Sequence, residues 1–246
     1  MQCPSTILRR EDGFFIIPSP IGKGEVPREH PFAMDRIIIF ANGELPDLTK
    51  ARGLLHDDDY IICADGGTRH ALAMGVRPGL VVGDMDSVGQ ENWRELEKTG
   101  VPVEIFPRDK NETDLELAIK RAIELQPGHL VVIAALGGRI DQLLGNIALL
   151  TDPRLSAFDV RFDDGVEELF ICRDQAQVHG RSGDLVSLIP WGDPVRGIQT
   201  QGLKWMLSNE TLYSEKTRGI SNEMLHETAL IRISSGNLLV VHIRNS

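Results

Sequence analysis

The stretch IICADGGTRHALAMGVRPGLVVGDMDS, residues 61–87, shows the pattern that decides the fold. Its apolar runs Ile61–Ala64 and Leu80–Val82 have the length of buried β-strands, and a helical pattern at 68–74 lies between them and ends at Gly75. A strand, a helix and a second strand in this order predict a right-handed crossover between parallel strands. Acidic or glycine residues follow each strand directly, at the edge of a parallel sheet where ligands bind.

The same alternation extends outward from this stretch. The further strand candidates are Ile37–Phe40, Val101–Phe106, Leu130–Ala135 and a pair near 158–163 and 167–172. The further helix candidates are 89–99, 113–125 and 140–150. Several of these strands are apolar on both faces, as parallel strands covered by helices must be. We therefore expect an α/β domain with a parallel sheet at residues 34–172.

The chain changes character on either side of that domain. After Arg173, short β-like runs are separated by turn residues, namely Leu185–Ile189, Val195–Thr200, Leu230–Ile233 and Leu238–Ile243. These runs predict an all-β sandwich domain at 173–246. Residues 1–33 contain five prolines and no sustained period, which predicts an N-terminal tail or arm, and the run Phe14–Ile17 leaves open an edge strand.

Composition narrows the functional classes. The chain has 246 residues and a formal net charge of −10, which argues against nucleic acid or an anionic membrane as a partner, because both require basic patches. No apolar run approaches the roughly 20 residues of a membrane helix. The N-terminal stretch MQCPSTILRR lacks an apolar signal core, so we expect a cytoplasmic protein. The three cysteines have no zinc-ligand or redox spacing.

Two of the strand ends carry carboxylates. Asp65, Gly66 and Gly67 follow the first strand of the opening stretch, where glycines let backbone approach a ligand and present amides to an anion. Asp84 and Asp86 follow the second strand, and two carboxylates at this spacing can face one Mg²⁺ ion if the backbone is extended. The alternatives are a tight turn capped by Asp65 and a polar turn that caps the next helix.

A third acidic segment precedes the helix candidate at 113–125. Thr113 and Glu116 have the T-x-x-E spacing of a capping box, which places Asp114 in the first helical turn. Asp114 either belongs to a ligand site or merely complements the helix dipole. Arg108 and Lys110, just before it, either contact phosphate or are solvated.

A fourth segment, residues 136–142, is a glycine turn into a helix that contains Gly138, Arg139 and Asp141. An arginine there can bridge phosphate oxygens with two hydrogen bonds. The alternative is a capping Asp141 beside a surface arginine. Each alternative is reasonable alone, but carboxylates or glycine turns at all of these strand ends favour one ligand-binding edge. The chain lacks the P-loop, the dinucleotide-binding glycine motif, the nucleophile elbow and the H-E-x-x-H motif.

Taken together and in order, these segments resemble the thiamine pyrophosphokinase family. The resemblance rests on ADGG (64–67), GDMDS (83–87), DKNETD (109–114) and GGRIDQLLGN (137–146). It continues through SLIP (187–190), TQGLKW (200–205) and SNE (221–223), and it covers about residues 35–243. GDMDS together with the spacing from TD to GGR-D is specific as a set, although no single piece is.

The resemblance implies an enzyme that transfers the β,γ-diphosphate of ATP to the hydroxyl of thiamine and releases AMP. It implies an α/β nucleotide-binding domain, a β-sandwich and a homodimer with composite active sites. The implied ligands of Mg²⁺ are Asp84, Asp86 and Asp114. The residues expected near ATP are Asp65, Gly66, Gly67, Arg108, Lys110 and Gly138. Arg139 and Asp141 would complete the catalytic rim, and Ser221 and Asn222 would approach thiamine. Asp114 and Asp141 are the candidates for a general base.

The sequence departs from the family at one point. Some members carry a tryptophan in the last strand that stacks on thiamine, whereas residues 236–241 contain no aromatic residue. We interpret Trp205 as part of the sandwich core. Two alternatives stay open, a pyrophosphokinase that acts on 6-hydroxymethyl-dihydropterin and a nucleotide-sensing module without turnover. The Ser221–Glu223 segment favours thiamine over a pterin, and the retained carboxylates favour catalysis over sensing.

Overall fold

The computed structural model describes residues 8–9, 15–16 and 34–245, which divide into two compact units. The first unit takes the described residues up to Leu45 together with Leu55–Asn146. The second unit takes Pro46–Leu54 together with the described residues from Ile147 onward. Among the described residues, no helix is both long and apolar enough to cross a membrane.

The first unit is built on a parallel sheet. Its strands are β1 (Leu8–Arg9), β2 (Phe15–Ile16), β3 (Arg36–Phe40), β4 (Tyr60–Ala64), β5 (Leu80–Gly83), β6 (Val103–Ile105) and β7 (His129–Ile133). The spatial order is β1-β2-β6-β5-β4-β3-β7, with parallel pairing from β6 to β7. Residues 37–40 of β3 are fully buried, as a strand covered on both faces must be.

Four of the five described α-helices, all but the first, follow the predicted positions closely. The five helices are α1 (Leu48–Arg52), α2 (Thr68–Ala73), α3 (Gln90–Thr99), α4 (Asp114–Glu124) and α5 (Ile140–Leu149). Thr113 is the N-cap of α4 as predicted, because its hydroxyl accepts a hydrogen bond from the Glu116 amide at 3.2 Å. α3 ends at Gly100, which has a φ of 65°.

The second unit contains two antiparallel sheets. Its strands are β8 (Asp159–Asp163), β9 (Glu167–Cys172), β10 (Gln175–His179), β11 (Leu185–Pro190), β12 (Val195–Gln201), β13 (Ser208–Leu212), β14 (Asn222–Glu223), β15 (Thr228–Arg232) and β16 (Leu238–Ile243). One sheet has the order β8-β9-β16-β11-β14 and the other the order β10-β15-β12-β13. Alternating side chains such as Val186, Leu188 and Ile198 form one apolar core. The predicted fold class, an α/β domain followed by an all-β sandwich, is confirmed.

Two details differ from the sequence analysis. The strands at 159–172, which we placed in the first domain, group with the second compact unit. The reason is that β9 pairs with β16 along its whole length, with Glu167 opposite Ile243 and Cys172 opposite Leu238. The predicted tail at 1–33 lies outside the described residues except for β1 and β2. There the described backbone shows the open alternative, strands added at the edge of the sheet, because β2 pairs antiparallel with β6 and β1 pairs antiparallel with β2.

Candidate active site

The candidate site lies at the carboxyl edge of the parallel sheet. Strands β4, β5 and β6 follow one another on one side of β3, and β7 lies on the other side of β3. This reversal of direction creates a crevice at the strand ends, where open α/β sheets bind ligands. The segments after β4, β5, β6 and β7 are the four in which the sequence predicted ligand-binding residues.

Three carboxylates converge at this edge. Asp65 begins the turn after β4, Asp84 follows β5, and Asp114 opens α4. One oxygen from each carboxylate lies within 4.8 Å of the other two. Asp65 is only 3% exposed, and the other two are half-buried. We call Asp65, Asp84 and Asp114 the carboxylate cluster.

Gly83 makes this convergence possible. A Cβ atom added at position 83 would lie 2.8 Å from Cβ of Asp65 and 3.2 Å from Oδ1 of Asp114. Any side chain there would push the two carboxylates away from the end of β5. The glycine is therefore required by the close approach of its neighbours.

The carboxylate cluster has more negative charge than its surroundings compensate. Oδ1 of Asp65 and Oδ1 of Asp114 are buried without a hydrogen bond, and Lys110 Nζ contacts Asp114 Oδ1 at 3.0 Å only as an ion pair. Burial raises the pKa of Asp65, and the nearby charges of Asp114 and Asp84 raise it further against hydrogen bonds from Ser87 and Gly66. Buried carboxylate oxygens that accept no hydrogen bond suit a hard divalent cation, so these residues fit a Mg²⁺ ion.

Asp86 lies outside the carboxylate cluster. Its amide donates to Oδ1 of Asp84 at 3.1 Å, and its own carboxylate accepts from Ser87 and lies 3.4 Å from Arg108. Met85, between the two aspartates, has a φ of 65°, so the backbone is not extended there. The extended geometry that would turn both carboxylates toward one ion is absent. The structure therefore brings Asp65, rather than Asp86, together with Asp84 and Asp114.

The glycine turns after β4 and after β7 differ from each other. Gly66 and Gly67 are buried, and a Cβ atom on Gly67 would collide with the carbonyl oxygen of Phe40. Gly137 and Gly138 are exposed, have φ values of 76° and 72°, and Gly138 has open space around it. The first pair is thus explained by packing, whereas the second is accessible to a ligand.

Arg139 and Asp141 follow the exposed glycine turn and pair with each other. Nε of Arg139 lies 3.1 Å from Oδ1 of Asp141, and both side chains are well exposed. The hydrogen bond from Arg139 lowers the pKa of Asp141. Neither residue belongs to the carboxylate cluster.

The sequence analysis missed a polar segment after β3. Nη2 of Arg69 donates to the carbonyl oxygens of Asn42 and Gly43, both at 3.0 Å, and Nε2 of His70 lies 3.0 Å from the Gly43 oxygen. The side chain of Asn42 also packs directly against Gly66. The available signal was the Asn42–Gly43 turn immediately behind the apolar run of β3.

In the second unit, Asn222 fixes the loop that carries Trp205. Oδ1 of buried Asn222 accepts from the Trp205 amide at 3.0 Å, and its Nδ2 donates to the Trp205 carbonyl oxygen at 2.7 Å. Ser221 is exposed, and its amide donates to the Ser187 hydroxyl at 2.9 Å. The side chain of Asn222 thus holds the backbone of Trp205 beside the segment that contains Ser221 and Asn222.

The prediction that Trp205 belongs to the sandwich core is wrong. Its side chain is 57% exposed, and the adjacent Met206 is exposed as well. β12 ends at Gln201, and the loop that follows fills the core with Leu203 and Leu207 instead. Trp205 lies between these two inward residues and is left outside.

Comparisons with known proteins agree with this geometry. Residues 51–162 match the family model "Thiamin pyrophosphokinase, catalytic domain", and residues 173–240 match "Thiamin pyrophosphokinase, vitamin B1 binding domain". Thiamine pyrophosphokinase of Bacillus subtilis is 29% identical over 213 residues, covering 85% of this chain and 98% of the relative. Thiamine pyrophosphokinase 1 of Oryza sativa is 25% identical and covers 98% of this chain and 100% of the relative.

A solved structure supports the same assignment. The crystal structure of thiamine pyrophosphokinase from Bacillus subtilis superposes with a TM-score of 0.77 at 28% identity and covers 86% of this chain and 100% of that one. The catalytic match spans β4 to β7 and ends within β8, the vitamin B1 binding match begins after β9, and the carboxylate cluster lies within the catalytic match. By fold, by motif and by relatives, the chain belongs to the thiamine pyrophosphokinase family.

Proposed function

We propose that the chain transfers the β,γ-diphosphate of ATP to the hydroxyl group of thiamine, giving thiamine diphosphate and AMP. The observation that carries the proposal is the carboxylate cluster, which lies at the ligand-binding edge of a domain that matches the catalytic domain of this family. The second unit matches the family's vitamin B1 binding domain, which supports thiamine as the acceptor.

We further propose that Asp65, Asp84 and Asp114 hold Mg²⁺. ATP brings about four negative charges, and each phosphate–carboxylate pair at about 4 Å would repel by about 4 kcal/mol at an effective dielectric constant near 20. A bound Mg²⁺ would offset this repulsion and the charge that develops on the transferred group. Asp86 then lies outside the ligand set, 3.4 Å from the exposed side chain of Arg108.

The remaining charged groups suit phosphate binding and positioning. Lys110, Arg108 and Arg139 are the cations of this edge, and the exposed turn at Gly137–Gly138 presents backbone amides. The lowered pKa of Asp141 makes its carboxylate a poor proton acceptor near neutral pH. Asp114 and Asp141 stay the two candidates for a general base toward the thiamine hydroxyl.

We propose that the second unit offers an aromatic platform to thiamine. Trp205 exposes its ring, and the two hydrogen bonds between Asn222 and the Trp205 backbone hold the loop in place. Thiamine contains a cationic thiazolium ring and a flat pyrimidine, and both stack favourably on indole. Ser221, exposed beside this loop, supplies a hydroxyl for the polar edge of the ligand.

We also propose that the protein is a homodimer. Ile140 and Leu144 lie on α5, and 74% and 51% of these large apolar side chains are exposed. Exposed apolar side chains one helical turn apart mark an interaction surface. The homodimer, its composite active sites and the cytoplasmic location stay predictions.

A product count tests the proposed function. Purified protein is incubated with ATP, Mg²⁺ and thiamine, and the early products are separated by chromatography. AMP and thiamine diphosphate should rise in equal amounts, and omission of thiamine or Mg²⁺ should stop both. Early ADP with thiamine monophosphate would contradict the one-step transfer. AMP formation that requires 6-hydroxymethyl-dihydropterin instead of thiamine would assign the other acceptor.

A further inference from the structure

Lys110 lies in the loop before α4 and contacts the carboxylate cluster directly. Its Nζ is 3.0 Å from Oδ1 of Asp114 and 4.0 Å from Oδ2 of Asp84, and only 13% of the side chain is exposed. A lysine so little exposed is normally found with an anionic partner. In this structure Lys110 serves two of the three carboxylates that we assign to Mg²⁺.

The ammonium group of Lys110 and a divalent cation compete for the same oxygens. An ion bound among carboxylate oxygens lies about 2.0–2.1 Å from each ligand. Nζ of Lys110 is only 3.0 Å from Asp114 Oδ1, so the ammonium group and a bound ion would lie close together on one carboxylate. Because both carry positive charge, they would repel each other. Lysine has a flexible four-carbon stem, so Lys110 can leave the carboxylates by side-chain rotation alone.

We propose that Lys110 is an exchange cation. It neutralises Asp84 and Asp114 before substrate binds, and it turns to the phosphate oxygens of ATP when the divalent ion takes its place. The inference rests on the proposed function, because it requires the carboxylate cluster to receive the ion together with ATP. Its consequence is cooperativity: the ion alone binds weakly, and the ion and the nucleotide strengthen each other's binding.

Arg108 does not share this role. Its side chain is 84% exposed and lies 3.4 Å from Asp86, outside the carboxylate cluster. Exposed ion pairs of this kind contribute little. Lys120 provides a matched control, because it forms an ion pair of the same type with Glu112 at 2.7 Å and with Glu116 at 3.2 Å, away from the carboxylate cluster.

The test measures Mn²⁺ binding by electron paramagnetic resonance of the free ion, with and without a non-hydrolysable ATP analogue. The proteins are the unchanged chain, Lys110→Met, Lys110→Arg and Lys120→Met. Lys110→Met should bind Mn²⁺ alone about tenfold more tightly, within the usual range of coupling between sites. The same variant should bind the analogue with Mn²⁺ about tenfold more weakly. Lys120→Met should behave like the unchanged chain, and Lys110→Arg, which keeps the positive charge, should lose less affinity for the analogue with Mn²⁺ than Lys110→Met does.

The opposite directions of these two effects separate exchange from a structural role, which would weaken both. Lys110→Gln is measured alongside in case methionine disturbs folding, and circular dichroism checks both variants. Unchanged or weaker Mn²⁺ binding without nucleotide in the folded variants would overturn the proposal. If the unchanged chain makes AMP and thiamine diphosphate in that case, the proposed function stands and only the exchange role falls.

Discussion

The two units of the molecule use buried carboxylates in opposite ways. In the second unit, His242 is fully buried between two of them, with Nδ1 3.2 Å from Glu168 and Nε2 3.0 Å from Asp184. Arg161 adds a contact to Glu168 at 2.6 Å, and Arg244 binds the neighbouring Asp163 through both of its oxygens. We call Asp163, Glu168, Asp184, Arg161, His242 and Arg244 the histidine network.

The pKa shifts of the two regions have opposite signs. Burial alone would raise the pKa of Glu168, but the hydrogen bond from His242 and the charge of Arg161 outweigh it and lower the pKa to about 2. The pKa of Asp65 is raised, because burial and like charges dominate there. A buried carboxylate with hydrogen-bonded cationic partners belongs to the packing of the fold. A carboxylate whose pKa is raised by burial and by neighbouring like charges indicates a binding or catalytic site. The comparison predicts that mutations in the two regions affect different properties.

The largest expected effect is on turnover at the carboxylate cluster. Asp84→Asn should lower kcat about 10³-fold, as loss of one preorganised electrostatic contact does, with an unchanged circular dichroism spectrum. Asp86→Asn, the matched control two residues away, should lower it far less, because Asp86 lies outside the cluster. Steady-state rates of AMP formation measure both. Equal losses in the two variants would return Asp86 to the ligand set.

The next effect is on stability at the histidine network. Glu168→Gln should lower the free energy of unfolding by about 2 kcal/mol, because it removes the buried carboxylate that Arg161 and His242 share and leaves each of them one other carboxylate, Asp159 and Asp184. Urea unfolding followed by circular dichroism measures it. Asp159→Asn removes a more exposed partner of the same Arg161 and should cost well under 1 kcal/mol. A similar loss of unfolding free energy in both variants would show that the burial of Glu168 does not determine how much its ion pair with Arg161 stabilises the fold.

Acid should affect the histidine network in a defined window. The pKa of Glu168 falls from 4.5 to about 2 on folding, so its contribution is complete above about pH 4.5 and is lost as the pH falls toward 2. The total loss from this group is at most about 3 kcal/mol. Unfolding free energies measured from pH 5 to 2.5 should fall less steeply in Glu168→Gln. Parallel curves for the two proteins would contradict the assignment.

The smallest effect is a gain in stability at the site. Asp65→Asn removes a buried charge with an unsatisfied oxygen and two like-charged neighbours, so the metal-free protein should become more stable by about 1 kcal/mol. Turnover should fall in the same variant. Thermal unfolding in the presence of a chelator measures the gain. A clear loss of stability would show that Asp65 is a structural carboxylate like those of the histidine network.

The sequence was sufficient for most of the fold because the local signals agree with it. Three of these signals each depend on only a few neighbouring residues. They are the apolar run Ile37–Phe40, the Thr113 cap of α4 and the glycine after α3. The short elements α1 and β14 carry too few residues for a period. The division into compact units depends on pairings such as that of β9 with β16, which join residues far apart in sequence.

The sequence indicates which strand ends carry carboxylates but not which of these carboxylates lie together. Asp84 and Asp114 follow from strand ends and a helix cap, whereas Asp65 joins them only through Gly83, a contact between separate segments. Asp86 lies apart because the left-handed backbone at Met85 interrupts an extended spacing, and a methionine gives no signal of that conformation. The exposure of Trp205 depends on which loop residues fill the core, namely Leu203 and Leu207.

The most direct test of the account is the affinity for Mn²⁺ in the presence of a non-hydrolysable ATP analogue, compared between Asp65→Asn and Glu168→Gln. Both substitutions replace one buried carboxylate by its amide, so they differ only in the region that they change. The account predicts that Asp65→Asn loses at least about tenfold in affinity, in line with the loss of one coordinating charge, and that Glu168→Gln keeps the affinity of the unchanged chain. Full affinity in Asp65→Asn would contradict the claim that the unsatisfied carboxylates form the cation site.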